Sequence, residues 1–198
     1  MIDKQYIINN LKPQNTMKKF FVIIILALVA NAAVAQFQIY TRISEKITPE
    51  YDFNFYGQKL LTKHVGIWGF ALVEQKWAEA YGGLLYSPAK WVEITVGAGI
   101  EQCDALYRLS ANVFLSGKNF SFLLATEKGD GRDNWWYKSF LKYQVGKWNF
   151  GIQSWRFHVT GPIVEYSPLS RLKIWVNPGR DLEFGINRIT AGVDVKVF

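Results

Sequence analysis

Apolar and polar residues alternate with a period of two along most of this chain, and few folds accommodate that. In YRLSANVFLS, residues 107 to 116, Leu109, Ala111, Val113 and Leu115 alternate with Arg108, Ser110, Asn112 and Ser116. Successive side chains of a strand point to opposite faces, so one face is apolar and the other polar. The same reading holds for Val92, Ile94, Val96, Ala98 and Ile100 against Glu93, Thr95, Gly97, Gly99 and Glu101. It holds again for Leu172, Ile174 and Val176 against Arg171, Lys173 and Trp175. No stretch after Gln36 sustains a 3.6-residue period, which makes the fold class all-β.

The N-terminal segment is set apart before folding is considered. From Met17 the chain reads MKKFFVIIILALVANAAVAQ: Lys18 and Lys19 precede an apolar run from Phe20 to Ala30, and Ala33-Val34-Ala35 offers small residues for cleavage. The run is too short for a membrane-spanning helix, which needs about 20 apolar residues. A secretory signal peptide is expected over residues 17–35, with residues 1–16 a non-structural upstream extension. Four of the 23 Lys and Arg and one of the 16 acidic residues precede Gln36, so the formal net charge falls from +7 to +4 beyond it. No basic tract tracks a nucleic-acid backbone, and no nucleic-acid partner is expected. Cys103, the only cysteine, leaves an exported chain with no internal disulfide.

Turn signals divide residues 63–198 into about ten strands, with residues 36–62 either a lead-in or a further hairpin that would bring the count to twelve. SPAK, SGKN, VGKW and SPLSR are compact turns. The connections between them, EQCDA, EKGDGRDN and VTGP, are more polar and often longer, although VTGP is short. Short turns on one side and longer loops on the other characterise an up-and-down barrel in an outer membrane. The apolar pattern changes phase near Gln153-Ser154 and near Arg188-Ile189, where bulges are expected.

Period two alone also fits a soluble, lipocalin-like barrel with its apolar face inward. Two features favour lipid on the apolar side. Aromatic residues make up 16% of the chain and gather near strand ends, at Trp77, Tyr86, Trp91, Trp135, Tyr137, Tyr143, Trp148 and Tyr166, as interfacial girdles do. The polar faces carry both signs of charge in mid-strand, among them Glu93, Arg108, Lys138, Lys142, Arg156, Glu165, Lys173 and Asp194. In a narrow barrel such charges pair across the interior, because an unpaired buried charge is costly.

The chain resembles small bacterial outer-membrane β-barrel proteins in following a signal peptide with alternating strands and ending on a strand with a terminal aromatic, Phe198. Val193, Val195 and Val197 form the apolar face of that strand. The resemblance implies an up-and-down transmembrane barrel, an outer-membrane location, the lipid bilayer as solvent and the barrel-assembly machinery as partner during biogenesis.

Candidate chemistry is sparse. His64 and His158 are the only histidines, and Ser154, Ser139 and Ser110 are the hydroxyls weighed beside them. A hydrolytic site needs serine, histidine and an orienting acid within hydrogen-bond reach. Two distant histidines and one cysteine show no metal-ligand spacing, and EKGDGR lacks the helix and Lys-Ser/Thr of a phosphate loop. No catalytic residue, cofactor or metal is therefore expected. The first functional expectation is a structural or interaction barrel, an accessory subunit of an envelope assembly with protein partners. A small pore or transport barrel is the alternative, and a lipid-modifying enzyme the third.

Overall fold

The computed structural model describes residues 34–44, 47–74, 77–102, 107–130 and 133–197. The expected leader up to residue 33, Cys103 and Phe198 lie outside them. Twelve strands run in chain order: β1 Val34–Ser44, β2 Ile47–Leu60, β3 Val65–Glu74, β4 Ala78–Ala89, β5 Val92–Glu101 and β6 Tyr107–Ser116, then β7 Phe120–Gly129, β8 Trp135–Val145, β9 Trp148–Trp155, β10 Val159–Leu169, β11 Leu172–Asp181 and β12 Ile186–Lys196. Each pairs antiparallel with its sequence neighbours, and β1 pairs with β12 from Gln36↔Lys196 to Ser44↔Arg188. The sheet is a closed up-and-down barrel without a free edge.

The count is twelve rather than ten because residues 36–62 are not a lead-in. They carry the β1–β2 hairpin, whose ladder includes Phe37↔Phe55 and Ile39↔Phe53. The hairpin begins at Val34, so the last two residues of the expected leader, Val34 and Ala35, pair with Gln58 and Gly57, and the ladder continues from Gln36↔Tyr56. The two expected bulges are absent from the described ladders. On β9, Ile152 is 66% exposed and Gln153 3%, in unbroken register with both neighbours. Trp155 belongs to the inward series, and the phase change is a change of residue type on an unchanged face. On β12, Arg188, Thr190 and Asp194 face inward and Ile189, Val193 and Val195 outward in the same regular way. The β9–β10 connection is at residues 156–158, not at VTGP.

Alternation sorts the residues of the opening stretch as lipid-facing and interior. Leu109 is 58% exposed on the outer surface, while its neighbour Arg108 is 5% exposed in the interior. Ile39, Leu84, Val96, Leu141 and Ile174 extend the outer apolar belt around the barrel. On β1 to β5 the same outward parity also carries enclosed residues, Phe55 beside Phe37 (5.0 Å) and Ala71, Ala78 and Ala80 with Ile100. A belt this extensive cannot be left to water, and acyl chains are the solvent it fits.

One end of the barrel carries both chain ends and the turns at 61–64, 90–91, 117–119, 146–147 and 170–171. We call this the terminal end, and the other the distal end. Tyr86, Trp91, Tyr143 and Trp148 ring the outside of the terminal end; Tyr51, Tyr107 and Trp135 ring the distal end. Trp148 packs on Tyr166 with ring centroids 4.5 Å apart, and Trp135 stacks on Tyr137 at 5.7 Å. Trp77 leaves the girdle series: its indole N–H donates to Glu79.

Candidate functional site in the barrel lumen

The inward faces enclose a cavity of about 1050 Å³. Its lining runs from Gln144, Ser167 and Lys196 at the terminal end to Trp77, Asn134 and His158 at the distal end. Inward glycines make room for indoles across it. A Cβ on Gly97 would lie 2.8 Å from the Trp68 ring, and one on Gly192 2.7 Å from the Trp175 ring. Those indoles are tied down as donors, Trp68 to the Val96 carbonyl at 3.1 Å and Trp175 to Asp194 at 2.9 Å.

The polar faces supply three groups of charge. The first is centred on Arg108 of β6, which donates to Glu101 at 2.6 Å and to Glu127 at 3.1 Å and lies 3.9 Å from Glu79. Asn134 joins by accepting from Arg108 and donating to Glu101, and the Tyr81 hydroxyl donates to Glu127 at 2.9 Å. The second is centred on Arg42 of β1, which donates to Asp52 at 2.8 Å and Glu74 at 2.9 Å and approaches Glu50 at 3.5 Å. The third lies on the opposite wall, where Lys142 and Lys173 share Glu165 and the Lys138 ammonium sits 3.7 Å from the centroid of Trp155. Asp194 completes this wall by accepting from Gln38 at 2.7 Å.

The charges are thus distributed unevenly around the barrel. The two arginines on the β1–β7 side face six carboxylates. The opposite wall carries the three lysines, with Arg156 paired to Glu183 and Arg188 paired to Asp181 at the distal turns. Of the mid-strand charges singled out by the sequence, Arg108, Lys142, Arg156, Glu165 and Lys173 are ion-paired, and Asp194 is held by neutral donors.

The histidine and serine candidates do not converge. Among the described residues neither histidine is hydrogen-bonded to a serine side chain. His64 lies at the terminal end with Nδ1 2.8 Å from the Ser87 carbonyl. Ser154 bonds Tyr137 and Thr160, and Ser110 lies beside Asn112. His158, in the β9–β10 turn, stacks on Trp155 at 3.8 Å with 4° between the ring planes. Its Nδ1 is 3.1 Å from the Arg156 carbonyl and its Nε2 3.2 Å from the Tyr40 hydroxyl. A carbonyl can only accept, so Nδ1 carries the proton and Nε2 accepts from Tyr40. Burial, then the charge of Arg42, pushes this imidazole well below its ordinary pKa and keeps it neutral.

Sequence reading missed one grouping. Asp52, Glu74 and His158 bring one ligand-type atom each within 4.8 Å of one another. They come from β2, the end of β3 and the β9–β10 turn, and only closure of the barrel joins them. No local spacing could have shown it.

No family model and no curated protein sequence matches the chain. Solved structures of similar fold include a KdgM porin, at 12% identity and a TM-score of 0.57 over 81% of this chain and 98% of that one. They also include outer membrane phospholipase A from Escherichia coli, at 12% identity and a TM-score of 0.55 over 86% and 96%. A NanC porin matches at 11% identity and a TM-score of 0.52 over 81% and 98%. Fold, closed barrel and apolar belt together define the chain as an outer-membrane β-barrel. These neighbours are porins and an enzyme, and they lend no support to the expected accessory-subunit role.

Proposed function

We propose that the protein is a small transport barrel that passes small polar solutes through its lumen. The single observation that carries this reading is the cavity whose lining, with charged groups of both signs among apolar ones, reaches both ends of the barrel. A barrel serving only as a scaffold fills its interior with side chains, as eight-stranded ones do. Twelve strands here leave a space large enough for a sugar-sized solute, within the range of ligand cavities. The fold it shares with KdgM and NanC porins supports the same reading. The oppositely charged walls would align dipolar or zwitterionic solutes across the lumen rather than select by net charge alone.

The phospholipase neighbour supplies a second class of activity for such a fold. Here Ser154 is engaged by Tyr137 and Thr160, and both histidines are held elsewhere. The transport reading is therefore the better supported.

Reconstitution tests it. The purified barrel in planar bilayers should give stepwise conductance, and liposomes containing it should swell in small sugars. Ser121→Trp, which adds bulk to the lumen lining, should lower both, while Phe122→Trp on the neighbouring outward position should not. Correctly inserted protein that neither conducts nor admits sugars would overturn the proposal.

A further inference from the structure

We propose that Asp52, Glu74 and His158 form a binding site for a divalent transition-metal ion of the zinc type at the distal end of the lumen. Three observations lead there. First, the three ligand-type atoms already lie within 4.8 Å of one another, from three separate elements. One imidazole with two carboxylates is a donor set that suits zinc and its neighbours. Second, the Asp52 side chain is fully buried, yet its Oδ2 has no hydrogen-bond partner. A buried carboxylate oxygen without a donor is costly, and a cation satisfies it.

Third, His158 is oriented as a metal-ligating histidine is. Its Nδ1–H is committed to the Arg156 carbonyl at 3.1 Å, which leaves the Nε2 lone pair to face the Tyr40 hydroxyl at 3.2 Å. A carbonyl on the far nitrogen is the usual outer partner that fixes the tautomer of a metal ligand. Stacking on Trp155 at 3.8 Å holds the ring plane, and Tyr40 must turn its hydroxyl away from Nε2.

Arg42 is the competing cation. Its Nη2 bridges Asp52 and Glu74, while its Nε is 3.5 Å from the partly exposed Glu50. One guanidinium serves three carboxyl groups here, so acidic groups outnumber cations in the cluster and the excess is theirs. An incoming divalent ion would neutralise that excess, with Arg42 swinging towards Glu50. The site does not depend on the lumen conducting, and metal binding is measured separately from transport.

The full-length barrel in detergent, stripped with chelator and dialysed against zinc, should retain one zinc ion per chain by elemental analysis. Calorimetric titration with zinc should show the same stoichiometry. His158→Gln and Asp52→Asn should each abolish the bound ion, with refolding confirmed by the shift in gel mobility between unheated and heated samples. Arg42→Gln, which removes the competitor, should tighten binding about tenfold or more, a gain no purely structural role of these residues would give. His64→Gln, at the other end of the barrel, should leave binding unchanged. Failure of the folded wild-type barrel to retain zinc would overturn the proposal, as would retention that is indifferent to His158→Gln but lost in His64→Gln.

Discussion

A charge placed on the outer face of a barrel meets hydrocarbon, and the same charge one residue along meets a prepared partner. Val113 faces out opposite Ile94 and Leu124, and Val113→Arg should cost about 2 to 4 kcal/mol in urea unfolding from lipid vesicles. Its neighbour Asn112 donates to Thr95 at 2.8 Å. Asn112→Ala should cost less, about 1 to 3 kcal/mol, since one buried acceptor loses its donor. Arg108 is the more consequential interior residue, because Arg108→Met leaves Glu101, Glu127 and Glu79 facing each other. Breaking a buried pair in this way costs about 3 to 5 kcal/mol, and the variant should melt well below wild type on the unheated-gel assay. The sides taken by Leu109, Ala111, Arg108 and Ser110 were legible in the sequence because parity alone sets them. The partners of Arg108 were not, because Glu79, Glu101 and Glu127 lie on three other strands and only register aligns them.

Among the elements, hairpins with short turns are set locally, and turn residues mark them in the sequence. Gly146, at φ +59°, takes the left-handed position that the β8–β9 turn needs. The β9–β10 turn instead places Phe157 at φ 65°, a conformation a bulky residue adopts only when its surroundings enforce it. Arg188 supplies that enforcement by donating to the Phe157 carbonyl at 2.5 Å, and the Phe157 ring lies 6.2 Å from Phe184. Nothing in RFHVTG marks this turn by composition, so the alternation alone carries β9 on to residue 159 and mimics a bulge near Gln153-Ser154. β1 and β2 were harder to recognise for a related reason: their inward faces carry Tyr40 and Tyr56, which blur the contrast between sides. The alternation of turns predicts the barrel's orientation, with the termini and compact turns on the periplasmic side. A tag inserted between Gly129 and Arg132 should then be reached by antibody on intact cells, whereas one at Gly117-Lys118 should be reached only after the outer membrane is opened. The opposite labelling pattern would invert the barrel.

For the molecule as a whole, the period-two pattern points to an all-β fold, and the aromatic strand ends with the mid-strand charges point to its inside-out polarity, while the lumen's volume and its divided charge emerge only with the strand number. Gln36 pairs with Lys196 and Phe37 with Val195, so the two ends of the barrel strands meet at a seam that is an ordinary ladder of the sheet. Linear order is then a matter of synthesis rather than of architecture. Chain ends that meet in this way can be joined by a short linker, and new ends opened at an exposed turn such as Gly146-Lys147, without removing any ladder but the hairpin link itself. A circularly permuted chain of this kind should refold into detergent with wild-type heat-modifiable mobility. What permutation would change is the route: β1 and β12, now neighbours in sequence, would zip early, and the loop-closure entropy would fall instead on β8 and β9, which meet last.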